Sequence, residues 1–147
     1  MSAPPPSVFA GYSGTSLPKK LGIKPGTVLA LAGAPPGFLG TLGELPDAVT
    51  MREDVGQGCT LAIWFVRSRG DLERGIAVMA AGLGDASLWI AWPKKTSALA
   101  SNVGERQVRA AGLAAGLVDY KVCAIDATWS GLLFTRRRAR GAARRKA

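Results

Sequence analysis

An open, mainly parallel α/β sheet, flanked by helices and closed at one edge by a C-terminal antiparallel hairpin, is the fold this sequence predicts. Three observations carry it. Thr60–Val66 (TLAIWFV) and Ser87–Trp92 (SLWIAW) are apolar at almost every position, as strands are when both faces of a sheet are covered. Between them Leu72, Ile76, Met79 and Leu83 recur at four, three and four residues, the period of a helix. Strand, helix and strand in that order form a parallel unit with a right-handed crossover.

Taken in order, residues 1–11 hold Pro4, Pro5 and Pro6 among small side chains and read as a disordered lead-in to one domain over 12–138. Ser13 or Thr15 is positioned to cap a short helix over Leu17–Leu21, with Pro18 in its first turn and Gly22 ending it. Thr27–Ala32 (TVLALA), bounded by Pro25-Gly26 and by GAPPG, is the first strand. Gly33–Gly58 is the least legible stretch, with a short helix over Phe38–Leu45 and a weak strand at Val49–Arg52. Asp71 is the expected cap of the periodic helix, and Gly82 or Gly84 its stop.

Asn102 followed by Glu105 fits a capping box, and the helix it opens has a small-residue face, Val108, Ala111, Gly112 and Ala115, before Gly116 ends it. Val118–Ile125 alternates, with Val118, Tyr120, Val122 and Ala124 on one face against Asp119, Lys121 and Cys123, the pattern of a less buried strand. Asp126–Trp129 supply a turn, and Gly131–Arg136 returns as an antiparallel partner. There is no internal repeat. The order of these elements resembles the second half of the class I methyltransferase (Rossmann-like) fold, a likeness of architecture that implies no activity.

The chain has 147 residues, 48% of them hydrophobic, enough to bury roughly 70% of the surface of the unfolded chain without disulfides or metal. It contains no histidine, which removes Ser/His/Asp and Cys/His nucleophile systems and the common zinc and iron ligand sets. Cys59 and Cys123 lie in apolar runs outside any CxxC and read as buried free thiols. No metal site is expected. The N-terminus lacks the pattern of a secretory signal, and the apolar runs are far shorter than the ~20 residues that span a bilayer. A cytosolic protein with no membrane partner is therefore expected.

The net charge is +9, but Arg136 to Lys146 hold seven basic residues and no acidic one. Taking those seven from 19 leaves 12 basic against 10 acidic residues, a nearly neutral body. The tail, residues 139–147, is expected to be disordered, and Arg136 to Lys146 suit weak, sequence-independent attraction to nucleic-acid phosphates. No aromatic residue is interleaved to stack on bases.

In open α/β sheets ligands bind outside the carboxyl ends of the strands. Arg67 follows the central strand, and Lys94 and Lys95 follow the next. Asp126, Trp129 and Ser130 join the same rim if the Val118 strand is also parallel. Lysines, an arginine and a turn tryptophan suit an anionic ligand with a flat ring. The loop Gly33–Gly37 sits where dinucleotide-binding and methyltransferase folds keep their glycine-rich loop, but Pro35 and Pro36 lack the amide hydrogens such loops use. No standard NAD, ATP or S-adenosylmethionine motif is present, although Glu44, Asp47, Glu53 or Asp54 could hold a ribose.

The segments YSGTSLPKKLGIKPG (Tyr12–Gly26), LGELP (Leu42–Pro46), WPKK (Trp92–Lys95), GLVDYKVCAID (Gly116–Asp126) and TWSGLLF (Thr128–Phe134) resemble a family of short bacterial proteins carried as a domain of unknown function. The resemblance implies a small cytosolic domain to which no activity is attached. Its hallmark positions add Tyr12, Ser13, Thr15, Lys19 and Lys20 to the candidate residues on the rim. Three functions follow as expectations. The first is a non-enzymatic binding or regulatory module for an anionic small molecule or acidic partner. The second is a methyltransferase-like enzyme with a reduced cofactor loop, in which Lys94 or Asp126 handles protons. The third is a nucleic-acid-associated protein acting through its tail.

Overall fold

The structure, a computed structural model, describes residues 15–56 and 58–136. The expected lead-in, Tyr12, Ser13 and the basic tail lie outside the described residues. In chain order the elements are α1 (Leu17–Leu21), β1 (Val28–Ala32), α2 (Phe38–Leu42), β2 (Thr50–Arg52) and β3 (Leu61–Phe65). They continue with α3 (Arg69–Gly82), β4 (Ser87–Pro93), α4 (Glu105–Ala114), β5 (Leu117–Ala124) and β6 (Trp129–Arg136).

The six strands form one sheet in the order β2-β1-β3-β4-β6-β5. The first four run parallel, and β6 inserts antiparallel between β4 and β5. This is the predicted Rossmann-like α/β sheet with its antiparallel hairpin. All five residues of β3 are buried, because it lies in the interior of a sheet covered on both sides.

The two sides are covered unequally. On one, Trp64, Leu88, Ile90 and Phe134 pack beneath α3 and α4, helices of 14 and 10 residues. On the other, Ile63, Phe65, Trp89 and Trp129 meet Leu21, Phe38 and Leu42 from α1 and α2, which have five residues each. Helices that short cannot stand alone in water. The indole of Trp89 holds α1 down by donating from Nε1 to the Leu21 carbonyl at 2.9 Å.

Several caps differ from those predicted. Ser16, not Ser13 or Thr15, opens α1; its Oγ accepts the Lys19 amide at 3.4 Å, the three-residue reach that a cap requires. Gly22 closes that helix in the left-handed conformation, as expected. Ser68 takes the place expected of Asp71, and its Oγ accepts the Asp71 amide at 3.0 Å. Asp71 instead sits in the first turn, where its carboxylate accepts the Arg67 amide and pairs with Arg74. Gly104 replaces Asn102 at the start of α4, with the Gln107 side chain accepting the Gly104 amide at 2.9 Å. Asn102 serves α3, accepting the Arg69 amide at 2.8 Å.

The expected alternation in β5 is broken. A bulge between Asp119 and Lys121 shifts the register, so residues on either side of it exchange faces. Leu117 joins the core under α4, whereas Cys123 joins the opposite core. Tyr120 and Val122 are exposed at the outer strand. Arg136 is also not a free member of the tail. Its guanidinium donates to the carbonyls of Ala80 and Gly84, tying the end of β6 to the C-terminal end of α3 and the turn after it.

Candidate ligand cleft

The carboxyl ends of β1, β3, β4 and β5 and the start of β6 reach one rim. Pro93 pairs with Trp129, and the next amide, Lys94, donates to the Thr128 carbonyl at 2.7 Å. The turn between β5 and β6 is built by Asp126, whose Oδ1 accepts the Thr128 and Trp129 amides at 2.8 Å each. Lys94 and Trp129 therefore belong to the same rim.

A cleft of about 1140 Å³ opens there, on the thinly covered side. Its walls come from α1 and the following turn, from the end of α2 with the loop to Pro46, and from the β5–β6 turn. Pro18, Ile23, Leu42 and Ile125 line it as buried apolar groups. Among the predicted residues, Thr15, Lys19, Lys94 and Asp126 face the cleft, joined by Lys24 and Glu44. A separate hollow of about 650 Å³ on the α4 side contains Lys95, Arg106 and Ser130, with Lys94 bordering both spaces.

Two predicted residues stand apart. The Trp129 ring is 2% exposed and meets Phe65 edge to face, with centroids 5.0 Å apart. It opens β6 instead of lying in the turn, and it plugs the core. Arg67 lies over it, with the guanidinium carbon 5.2 Å from the ring centroid and Nη1 donating to the Gly33 carbonyl at 2.9 Å.

Cys123 lies near this rim, where the charges of Lys20, Lys121 and Lys94 reach it. Burial pushes its thiol above the ordinary range, outweighing the lowering by those lysines. At pH 8 its thiolate fraction is therefore below that of a free cysteine. A disulfide reagent should modify Cys123 more slowly in the folded Cys59→Ala chain than in the denatured one; equal rates would contradict its burial. Elsewhere Arg109, hydrogen-bonded to Asp119, holds that carboxyl below its usual range. That pair fastens α4 to β5, outside the cleft.

Sequence reasoning missed Ser16, Pro18, Ile23, Leu42, Leu45 and Pro46 as walls of this site. The available signal was the mismatch between two fully apolar central strands and the five-residue helices covering one of their faces. Among the described residues, no group of three or more potential ligands is placed to hold a metal ion. No helix among them is long and apolar enough to cross a membrane.

The architecture is similar to that of a protein described as a type 11 methyltransferase from Sulfolobus solfataricus, at 15% identity and TM-score 0.57, covering 85% of this chain and 92% of that one. A SAM-dependent methyltransferase from Aquifex aeolicus matches at 15% identity and TM-score 0.51, over 79% and 85% of the two chains. An O-methyltransferase family 2 protein from Planctomyces limnophilus, in complex with apigenin, matches at 11% identity and TM-score 0.51, over 88% and 58%. No protein-family model matches the chain, and no curated protein matches it. The methyltransferase-like topology expected from the sequence is thus shown; the motif family is not.

The residues at the end of β1 do not fit S-adenosylmethionine. Pro35 and Pro36 present no amide hydrogen, and the Phe38 amide is taken by the Pro35 carbonyl at 3.1 Å. Gly33 keeps the left-handed conformation that suits glycine, at φ 70°, and a Cβ there would sit 3.0 Å from the Phe65 carbonyl oxygen. Arg67 then spans the gap between the ends of β1 and β3. Its guanidinium puts a fixed cation beside a cofactor whose sulfonium is itself cationic, and like charges repel.

Proposed function

We propose that the chain is a small-molecule-binding domain built on a methyltransferase-type sheet, and that it holds an anionic ligand in the cleft between α1, α2 and the β5–β6 turn. The observation that carries this reading is the charge around that cleft. Lys19, Lys24 and Lys94 border it against two carboxylates. One of those, Asp126, already accepts two backbone amides. The remaining positive charge favours an anion, and Lys94, half-buried on a rigid strand end, is its principal partner.

The second reading, a methyltransferase, is favoured by the fold it shares with enzymes of that kind. Lys94 or Asp126 would then move the proton released at the accepting atom, and Pro35, Pro36 and the Arg67 cation stand against it.

Thermal unfolding separates the two. A bound ligand at a hundred times its Kd stabilises the fold by about 2.7 kcal/mol, an increase of about 5–10 °C in Tm for a domain of this size. Citrate or another polycarboxylate should raise Tm, and Lys94→Ala should remove roughly a third of that rise, the share of one ion pair, without changing the unliganded Tm. A rise with S-adenosylmethionine and none with anions would establish the second reading instead.

A further inference from the structure

Resting on that binding reading, we infer that the ligand is amphipathic: a free alkyl carboxylate of medium chain length, its head at Lys94 and its apolar body along α1 and α2. A purely polar anion would leave most of the cleft wall unused. Pro18, Ile23, Leu42 and Ile125 are buried within the fold yet border the open space, and Leu17, Leu45 and Pro46 are half-buried beside them. The volume, about 1140 Å³, lies just above the roughly 300–1,000 Å³ of most small-molecule sites.

Charged groups stand on each wall of the cleft, but they differ in burial. Lys19, Lys24 and Glu44 are exposed, whereas Lys94 is half-buried and borders the cleft together with Ile125 and Asp126. The Asp126 carboxylate accepts the Thr128 and Trp129 amides through Oδ1, which holds it in the β5–β6 turn. A single half-buried cation at an apolar hollow, with the other two lysines exposed to solvent, selects one anionic head on an apolar tail. The alternative source of such a head, a lipid in a bilayer, does not match a cleft walled on three sides.

Calorimetric titration of the full chain with hexanoate, octanoate and decanoate, each below its micelle threshold, tests the assignment, with decan-1-ol and citrate alongside. Each buried methylene should tighten binding about fourfold, so Kd should fall about fifteenfold from octanoate to decanoate. Lys94→Gln should weaken decanoate about threefold to fivefold and leave decan-1-ol unchanged. Leu45→Gln, at a half-buried position, should flatten the chain-length dependence. Binding of citrate with Lys94 dependence, and no gain from octanoate to decanoate, would overturn the amphipathic ligand and leave the anion-binding reading intact. Equal binding of decanoate and decan-1-ol, insensitive to Lys94→Gln, would overturn both, as would no binding of any probe.

Discussion

Trp129→Ala is expected to destabilise the domain by about 3–5 kcal/mol, the usual range for removing a large aromatic ring from a core. The ring is enclosed by Phe65, itself in edge contact with Phe38 at 4.9 Å, and by Arg67 above. Its deletion therefore removes the meeting point of β3, β6 and α2. The gap left under Arg67 also exposes a cation–π partner to solvent and loosens the Gly33 turn. Urea unfolding followed by circular dichroism measures the loss. A change under about 1 kcal/mol, accompanied by lost ligand affinity, would show that the indole belongs to a binding surface and not to the core.

Gly112→Val is expected to cost about 3 kcal/mol or more, toward the upper end for overpacking. A Cβ on Gly112 would lie 2.2 Å from Phe134 Cε2 and 2.5 Å from its Cζ. Phe134 has no exposed surface and sits in the antiparallel register opposite Leu88, so the ring has nowhere to move. α4 would have to lift off the sheet. Ala110→Val on the exposed side of the same helix is the control, since it places the same β-branched side chain there without the clash, whereas on propensity alone Gly112→Val would be favourable. A loss at Gly112 no larger than that at Ala110 would mean that a β-branched side chain in the helix, and not the close approach to Phe134, sets the effect.

The parts of the fold that were legible in the sequence are those in which one physical demand acts alone. β3 and β4 are apolar throughout because both faces are covered, and the helix between them shows its period because a single face is buried. Caps were harder, because two competent residues stand within reach of each helix start. Ser68 and Asp71 both accept hydrogen bonds from backbone amides there, and only the geometry assigns which one closes the turn. In β5 a single bulge reverses the faces of the following residues, and nothing in VDYKVCAI marks it.

The rim was partly legible, since strand ends can be read from apolar runs, and Lys94 and Trp129 do meet there. The cleft was not. Its walls come from residues 15–25, 40–46 and 125–127, which no periodicity links, and its helices are too short to show an amphipathic pattern. The tryptophan presented the same difficulty. A turn position and a strand start differ by one residue, and that residue decides whether the ring points to water or to the core.

The hydrogen bond from the Trp89 indole to the Leu21 carbonyl has a thermodynamic consequence for any occupant of the cleft. It joins the end of α1 to β4, one of the two central strands of the sheet, so that wall is assembled when the chain folds and not when a guest arrives. The entropy of ordering it is already counted in the folding reaction. Association then needs no coupled folding step, and the host is preorganised.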